Sequence, residues 1–313
     1  MDIVFMGTPD FASGVLEAII KAGHNVSLVV TKQDKPKGRG KEMSFTPVKE
    51  TAIAHNIPVF QPARAKAEES VNYLKQFKAD VFVVVAYGQI LSKEILDMPR
   101  ICCVNVHASL LPKYRGAAPI QWAVIDGEEY SGITTMRMDE GIDTGDIIDT
   151  AMYKLKDKET GGSLFDELMV LGGETLVETL KKLENNTATF TKQCNEDSTY
   201  AKMLTKQLGL IDFNNDAIVI ERLIRGLNPW PSAYTYLGGK SLKLWDANVV
   251  MEEYKGKVGE IVKLTKDTLL IKTGKGTLSI VELQMEGKKR MYIEDFLRGN
   301  KLCEGQILGN LEV

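Results

Sequence analysis

Three features of this 313-residue chain predict an α/β fold followed by a smaller all-β domain. Short apolar runs alternate with amphipathic helical stretches as far as Leu183, the pattern of strands joined by crossover helices. One run, Asp80–Ala86, is apolar at nearly every position, as expected of a central parallel strand buried on both faces. From Leu242 onward the runs are short, polar and apolar residues alternate, and the spacing suits a small barrel. The expectation is a Rossmann-like, doubly wound and mostly parallel sheet, followed by a small C-terminal OB-like β-barrel domain. Composition places the first domain at 1–184, a polar and aperiodic linker at 185–207, and the second domain at 208–313.

Taken in order, Ile3–Met6 reads as a strand, Gly7-Thr-Pro-Asp10 as a βα turn, and Phe11–Lys21 as a helix closed near Gly23. Gly7 and Gly14 are seven residues apart, so G-x-G-x-x-G is absent and a dinucleotide site is not supported. Val26–Val30 is the second strand. Thr31–Lys41 carries five cations, one acid and two glycines, and it is long for a βα connection. Such a run is often only solvated, but it leaves the sheet edge where α/β sites form, so contact with a polyanion is expected. Thr46 and Pro47 start a helix as N-cap and first-turn proline. Val59-Phe60 is a short strand, Ala67–Phe77 a surface helix, and Ser92 caps a helix ending at Leu96.

Cys102–Ala108 is a strand and Ala118–Ile125 a helix ended by Gly127. Gly132–Met138 and Ile147–Leu155 flank an acidic loop so closely that they should form an antiparallel edge. Ser163–Leu183 is a long helix with Gly172-Gly173 as its weak point. The second domain holds a helix at Ala217–Gly226, a turn at Asn228-Pro-Trp-Pro231, and strands at Leu242–Trp245, Gly259–Leu264, Thr268–Lys272 and Thr277–Leu283. Gly274-Lys-Gly276 reads as a hairpin loop.

Composition is ordinary for a globular protein, and no apolar run reaches the length of a membrane span. Asp2 sits where a signal peptide would be basic, so a cytoplasmic, unprocessed chain is expected, and a monomer. Cys102, Cys103, Cys194 and Cys303 form no C-x-x-C, and the three histidines form no H-E-x-x-H. Neither a disulfide framework nor a metal site is expected. Net charge is −3, so nucleic-acid binding would require a local basic patch.

The chemistry concentrates at Val104–Gly116. Asn105 and His107, two apart, share one face of a strand and leave it at the C-terminal end, where open α/β sheets place ligands. The Asn105 amide can donate to an oxyanion, or bond a neighbouring loop. His107 can stabilise an oxyanion or relay a proton, or be a satisfied core histidine. Asp143, in the acidic loop Asp139–Asp146, can pair with His107, or close an Asx turn beside Gly141 and Gly145.

Asn105-x-His107, Ser109-Leu-Leu-Pro112, Tyr114-Arg-Gly116 and Asp143 in Asp-x-Gly-x-Asp-Thr-Gly resemble the signature of the formyltransferases that use 10-formyltetrahydrofolate. Met6–Phe11, Asp34–Gly40, Val83–Gly88, Gly116–Ile120 and Asn228–Pro231 extend the likeness over essentially the whole chain. Ala108 departs from it, since the family usually has glycine there. The resemblance implies formyl transfer from 10-formyltetrahydrofolate to the α-amino group of methionine on initiator methionyl-tRNA, for translation initiation, with tetrahydrofolate released and no metal. It implies that Asn105, His107 and Asp143 are catalytic and that Ser109, Leu110, Leu111 and Pro112 contact the folate. It also implies that Lys37, Arg39 and Lys41 meet the tRNA acceptor end, and that the C-terminal domain touches tRNA, with Lys288-Lys-Arg290 as a basic cluster. The same motif serves formyltransferases acting on sugar nucleotides or glycinamide ribonucleotide; the long basic loop and the barrel argue for tRNA, the glycinamide-ribonucleotide enzymes normally lacking the barrel and some sugar enzymes having one. A non-catalytic folate- or tRNA-binding module is the other reading, and the intact Asn105, His107 and Asp143 argue against it.

Overall fold

The structure, a computed structural model, describes residues 1–37 and 42–309. It divides into two compact units that interleave along the chain. The first holds Met1–Pro119, Tyr130–Lys154 and Phe165–Ala201; the second holds Ile120–Glu129, Leu155–Leu164 and Lys202–Val313.

From the N-terminus the elements are β1 (Asp2–Gly7), α1 (Asp10–Lys21), β2 (Asn25–Val30), β3 (Lys35–Lys37), β4 (Glu42–Ser44), α2 (Pro47–Ala54) and β5 (Val59–Phe60). Next come α3 (Glu68–Leu74), β6 (Val81–Val85), α4 (Lys93–Leu96), β7 (Cys102–His107), β8 (Arg115–Gly116) and α5 (Pro119–Asp126). β9 (Tyr130–Arg137), β10 (Ile147–Lys154), α6 (Gly161–Glu184) and β11 (Tyr200–Ala201) follow. The main sheet of the first unit runs β10-β9-β7-β6-β1-β2-β5. β5, β2, β1, β6 and β7 are parallel. β9 and β10 add the expected antiparallel edge.

The parallel core forms because its strands have apolar side chains for both faces. Every residue of β6 is buried. Phe82 and Val84 join Val4, Met6, Leu28 and Val30 in a cluster with Val71 and Leu74 of α3 and Ile95 of α4. α1 turns Phe11, Ala12, Val15, Leu16 and Ile19 into the interior. Each of the larger side chains, Phe11, Val15, Leu16 and Ile19, contributes ~1.5–3 kcal/mol when fully buried. Thr46 caps α2 as expected, accepting from Lys49 N at 3.2 Å. Ser92 occupies the N-cap position of α4, but its hydroxyl is buried without a partner.

Gly172-Gly173 does not interrupt α6, which is continuous from Gly161 to Glu184. These glycines admit neighbours: a Cβ on Gly173 would meet Ala18 Cβ at 2.6 Å, and one on Gly172 would crowd Phe11, Ile133 and Val106. The propensity cost of about 1 kcal/mol per glycine is offset by this close approach. The polar stretch after α6, expected to be a linker, is hydrogen-bonded to the first unit as far as Ala201. Thr191 and Ile147 exchange backbone bonds at 2.8 Å, and β11 pairs in parallel with β8.

The second unit contains α7 (Ala217–Gly226), β12 (Ala233–Leu237), β13 (Lys240–Val250), β14 (Ile261–Leu264), β15 (Leu269–Lys272), β16 (Thr277–Met285), β17 (Met291–Tyr292) and α8 (Ile293–Gly299). Its strands form an antiparallel sheet in the order β12-β13-β16-β15-β14, with β17 beside β16. Leu242, Leu244, Leu278 and Ile280 pack with Ile220 and Ile224 of α7. The β12–β13 hairpin was not anticipated. Its turn is Gly238-Gly239, both at positive φ, as a two-residue hairpin requires. Among the described residues no helix is long and apolar enough to cross a membrane.

The cysteines give a direct check on β7. Burial pushes the Cys102 thiol up to about 11 and the Cys103 thiol higher still. Cys194 and Cys303 are exposed. A thiol-exchange reagent at about pH 8 should therefore react with two thiols in the native protein and all four in denaturant, because only accessible thiolate reacts. Four fast native thiols would mean that β7 opens.

Candidate active site

β7 starts as packing and ends as chemistry. Cys103 points its sulfur at the Ile95 and Leu96 carbonyls of α4, at 3.8 and 3.6 Å. Two and four residues on, Asn105 and His107 lie on that same face. Both are buried, at 8% and 6% exposure, so polar partners are needed for both.

Asn105 borders a cavity of about 350 Å³ at the carboxyl ends of β6 and β7. Its other walls are Gly88–Leu91, which follow β6, together with Gly116, Met136, Met138 and the loop from Asp139 to Gly145. β6 ends abruptly, with Ala86 and Gly88 both at positive φ, and this turn carries the chain into the cavity-lining residues 88–91.

The acidic loop takes a longer route than the sequence suggests. β9 is antiparallel to β7, with Arg137 opposite Val104. The loop therefore starts level with Cys103, whose carbonyl accepts from Met138 N at 2.9 Å, and doubles back toward His107. It is braced internally by Asp139, whose Oδ1 accepts from Gly141 N at 3.0 Å and Thr144 Oγ1 at 2.6 Å. Asp143 has φ +54, in the left-handed region. There its Oδ2 accepts from Gly116 N at 2.8 Å and stands 3.6 Å from His107 Nδ1. The other ring nitrogen, Nε2, donates to the Tyr114 carbonyl at 2.8 Å. Nε2 is thus hydrogen-bonded to a carbonyl, and Nδ1 has a carboxylate oxygen as its near neighbour.

The geometry brings Asn105, His107 and Asp143 together, although His107 stands behind the cavity wall rather than in it. Ser109, Leu110, Leu111 and Pro112 do not line the cavity. Ser109 Oγ donates to Lys113 O at 2.7 Å, while Thr134 Oγ1 donates to Ser109 O at 2.7 Å and accepts from Leu111 N at 3.1 Å. These bonds tie the segment to β9; Leu110 and Pro112 stay half-buried. Of the basic residues, Lys37 ends β3, and Arg39 and Lys41 lie outside the described residues. β3 and β4 pair antiparallel. Next to them, Asp34 Oδ2 accepts from Lys49 Nζ at 2.5 Å and Oδ1 from Gln61 Nε2 at 2.8 Å. The Lys49 bond first, then that of Gln61, holds the Asp34 carboxyl below the usual carboxylate range. This anchor is in place above the ordinary carboxylate pKa and is lost as pH falls through the lowered one.

Sequence reasoning quoted Gly88 and Arg115 only as matches to the family pattern and gave them no role, and it missed Gln89–Leu91 and Gln193. Arg115 is 2% exposed, and its guanidinium donates to Gln193 Oε1 from Nε at 3.1 Å and Nη2 at 2.7 Å. Gln193 Nε2 in turn donates to the carbonyls of Asp143 and Gly145, at 2.9 and 2.8 Å.

Against known families, residues 1–180 match the formyl transferase domain and residues 203–301 match the formyl transferase C-terminal domain. A methionyl-tRNA formyltransferase of Agathobacter rectalis is 58% identical over 305 residues, 97% of this chain and 98% of that protein. One of Clostridioides difficile is 48% identical over 309 residues, 99% of this chain and 100% of that protein. Among solved structures, an N-formyltransferase from Helicobacter canadensis in complex with folinic acid and dTDP-3-aminofucose has a TM-score of 0.65. It is 21% identical and covers 89% of this chain and 98% of its own, a likeness of fold.

Gly116, which gives its N–H to Asp143, leaves little room for a side chain. It has φ +111, and a Cβ there would meet Ala201 O at 2.8 Å. Gly116→Ala should cost about 1–3 kcal/mol through the strained backbone alone. Thermal unfolding measures it, and an unchanged midpoint would show that the β8–β11 pairing holds nothing in place.

Proposed function

This chain belongs to the methionyl-tRNA formyltransferases, enzymes of formyl transfer, and we propose that it moves the formyl group of 10-formyltetrahydrofolate onto the α-amino group of methionine on initiator tRNA. One observation carries the reading: a buried amide faces a cavity, and a histidine two residues along the same strand has a carboxylate 3.6 Å from its ring. That set supplies what acyl transfer to an amine needs, an oxyanion donor and a proton relay.

The cavity suits the donor's flat pteridine. Leu91, Met136, Met138 and Ile142 give it apolar walls, and the loops 88–91 and 139–145 offer peptide groups to the heterocycle's edges. In this reading the pteridine enters the cavity and N10 with its formyl group lies toward Asn105. Ser109, Leu110, Leu111 and Pro112, leaving β7 beyond His107, add contacts to the same donor, chiefly through half-buried Leu110 and Pro112.

An α-amine has an ordinary pKa of about 7.7–8.0, so a useful fraction is neutral near pH 7. It attacks the formyl carbon, and the carbonyl oxygen becomes an oxyanion. The Asn105 amide donates to that oxygen, and the His107 imidazolium adds positive charge beside it. Collapse breaks the bond from carbon to N10. One proton leaves the attacking nitrogen and one arrives at N10, and the His107–Asp143 pair relays them. Lys37, Arg39 and Lys41 hold the acceptor end of the tRNA, and Lys288-Lys-Arg290 offers a second basic contact.

The deciding experiment is transfer of labelled formyl to initiator and elongator methionyl-tRNA in parallel, with an amino-sugar nucleotide as third acceptor. Selective labelling of the initiator is expected; labelling of the sugar alone would overturn the acceptor. Asn105→Ala should lower kcat about 10²–10³-fold, the cost of one oxyanion donor, ~2.7–4 kcal/mol. His107→Ala should be at least as damaging, with donor binding retained by equilibrium titration. tRNA affinity should fall with salt by about 0.7–0.9 log units per phosphate contact per decade, and Arg39→Ala should raise the KM for tRNA. Unchanged KM would remove Arg39 from the interface.

A further inference from the structure

We propose that Gln193 is a positioning residue: its amide couples buried Arg115 to the Asp143 backbone and so holds the Asp143 carboxylate at His107. The proposal rests on the formyl-transfer reading of that site.

Gln193 comes from the polar stretch after α6, where composition points only to a linker. The segment is fastened on both sides of it. Thr191 exchanges backbone bonds with Ile147 at 2.8 Å. Thr199 takes the Arg115 N–H on its carbonyl and the Tyr114 N–H on its hydroxyl, each at 2.8 Å. Between these points Gln193 and Asn195, two apart, both turn to the Arg115 guanidinium; Asn195 Oδ1 accepts from Nη2 at 2.9 Å. Intervening Cys194 is exposed, and Asn195 begins a short 3-10 turn, Asn195–Asp197.

Only a primary amide can do what Gln193 does here, accepting through oxygen and donating two N–H through nitrogen. Its oxygen takes two bonds from a charged donor, and such bonds are short and strong. Its nitrogen gives both hydrogens to the loop, one to Asp143 O and one to Gly145 O. The next residue after Arg115 completes the grip, because Gly116 N–H takes the Asp143 carboxylate at 2.8 Å. Asp143 is thus held at its carbonyl and at its side chain by one dipeptide, directly at one end and through Gln193 at the other.

Gln193→Glu separates this role from a structural one. A carboxylate keeps Arg115 paired, but it has no hydrogen for the loop carbonyls and repels them. The variant should keep or raise the thermal midpoint, speed amide exchange in residues 139–146, and lower the single-turnover rate about 10–100-fold, the scale of a misplaced catalytic group. Gln193→Met, uncharged and of similar size, should shift exchange and rate in the same direction. In an Asp143→Ala background, Gln193→Glu should cost little more, since it acts through Asp143. Wild-type exchange and rate in Gln193→Glu, or full additivity with Asp143→Ala, would overturn the proposal. Should the wild-type enzyme itself transfer no formyl group, the functional reading falls, and the exchange comparison still decides whether Gln193 holds the loop.

Discussion

The site depends on keeping Asp143 in a left-handed backbone conformation at the far end of a loop that starts on the wrong side. β9 runs against β7, so the chain leaves it level with Cys103 and has to return along the strand to reach His107. A non-glycine residue at φ +54 costs of order 1–3 kcal/mol unless its surroundings over-determine it. Here they do. The carboxylate takes the Gly116 N–H, the carbonyl takes Gln193, and Asp139 braces the loop from within. At about 0.5–1.5 kcal/mol per bond, and more for the charged one, these contacts exceed the strain.

Arg115 gives that arrangement its rigidity and its cost. Removing a guanidinium from water carries a penalty of several kcal/mol, which burial of its aliphatic stem does not offset. Its acceptors are amide oxygens of Gln193 and Asn195 rather than a carboxylate, so its positive charge is not cancelled by them. The charge therefore remains part of the field around Asp143, in a region sheltered from solvent screening.

The parallel core was legible because burial on both faces leaves a plain signature, as in Asp80–Ala86. The antiparallel edge was legible from the short spacing of β9 and β10, and the Asn105–His107 pair from the two-residue period of a strand. Gly172-Gly173 misled because propensity knows nothing of Ala18 on a neighbouring helix. The β12–β13 hairpin had its Gly-Gly turn in view, flanked by alternating Tyr and Thr, and was readable but unread. Gly88–Leu91 reach the cavity through a turn with Ala86 and Gly88 at positive φ, and their types, apart from Gly88, carry little trace of that role. Gln193 was hidden for a different reason: a polar residue among polar residues shows no period, and its partners lie about 50 and 78 positions away.

The interleaving of the two units bears on how the protein comes into being. Ile120–Glu129 and Leu155–Leu164 belong with a body whose remainder begins only at Lys202. At roughly 5–20 residues per second, a ribosome exposes the first of these segments several seconds before that remainder starts to emerge. Ile120, Ala123 and Val124 are buried in the finished protein. During synthesis they are orphaned apolar surface, of the kind chaperones recognise. The nascent chain is most vulnerable in that interval, and a cut of the gene between Glu129 and Lys202 would make the interval permanent for Ile120–Glu129.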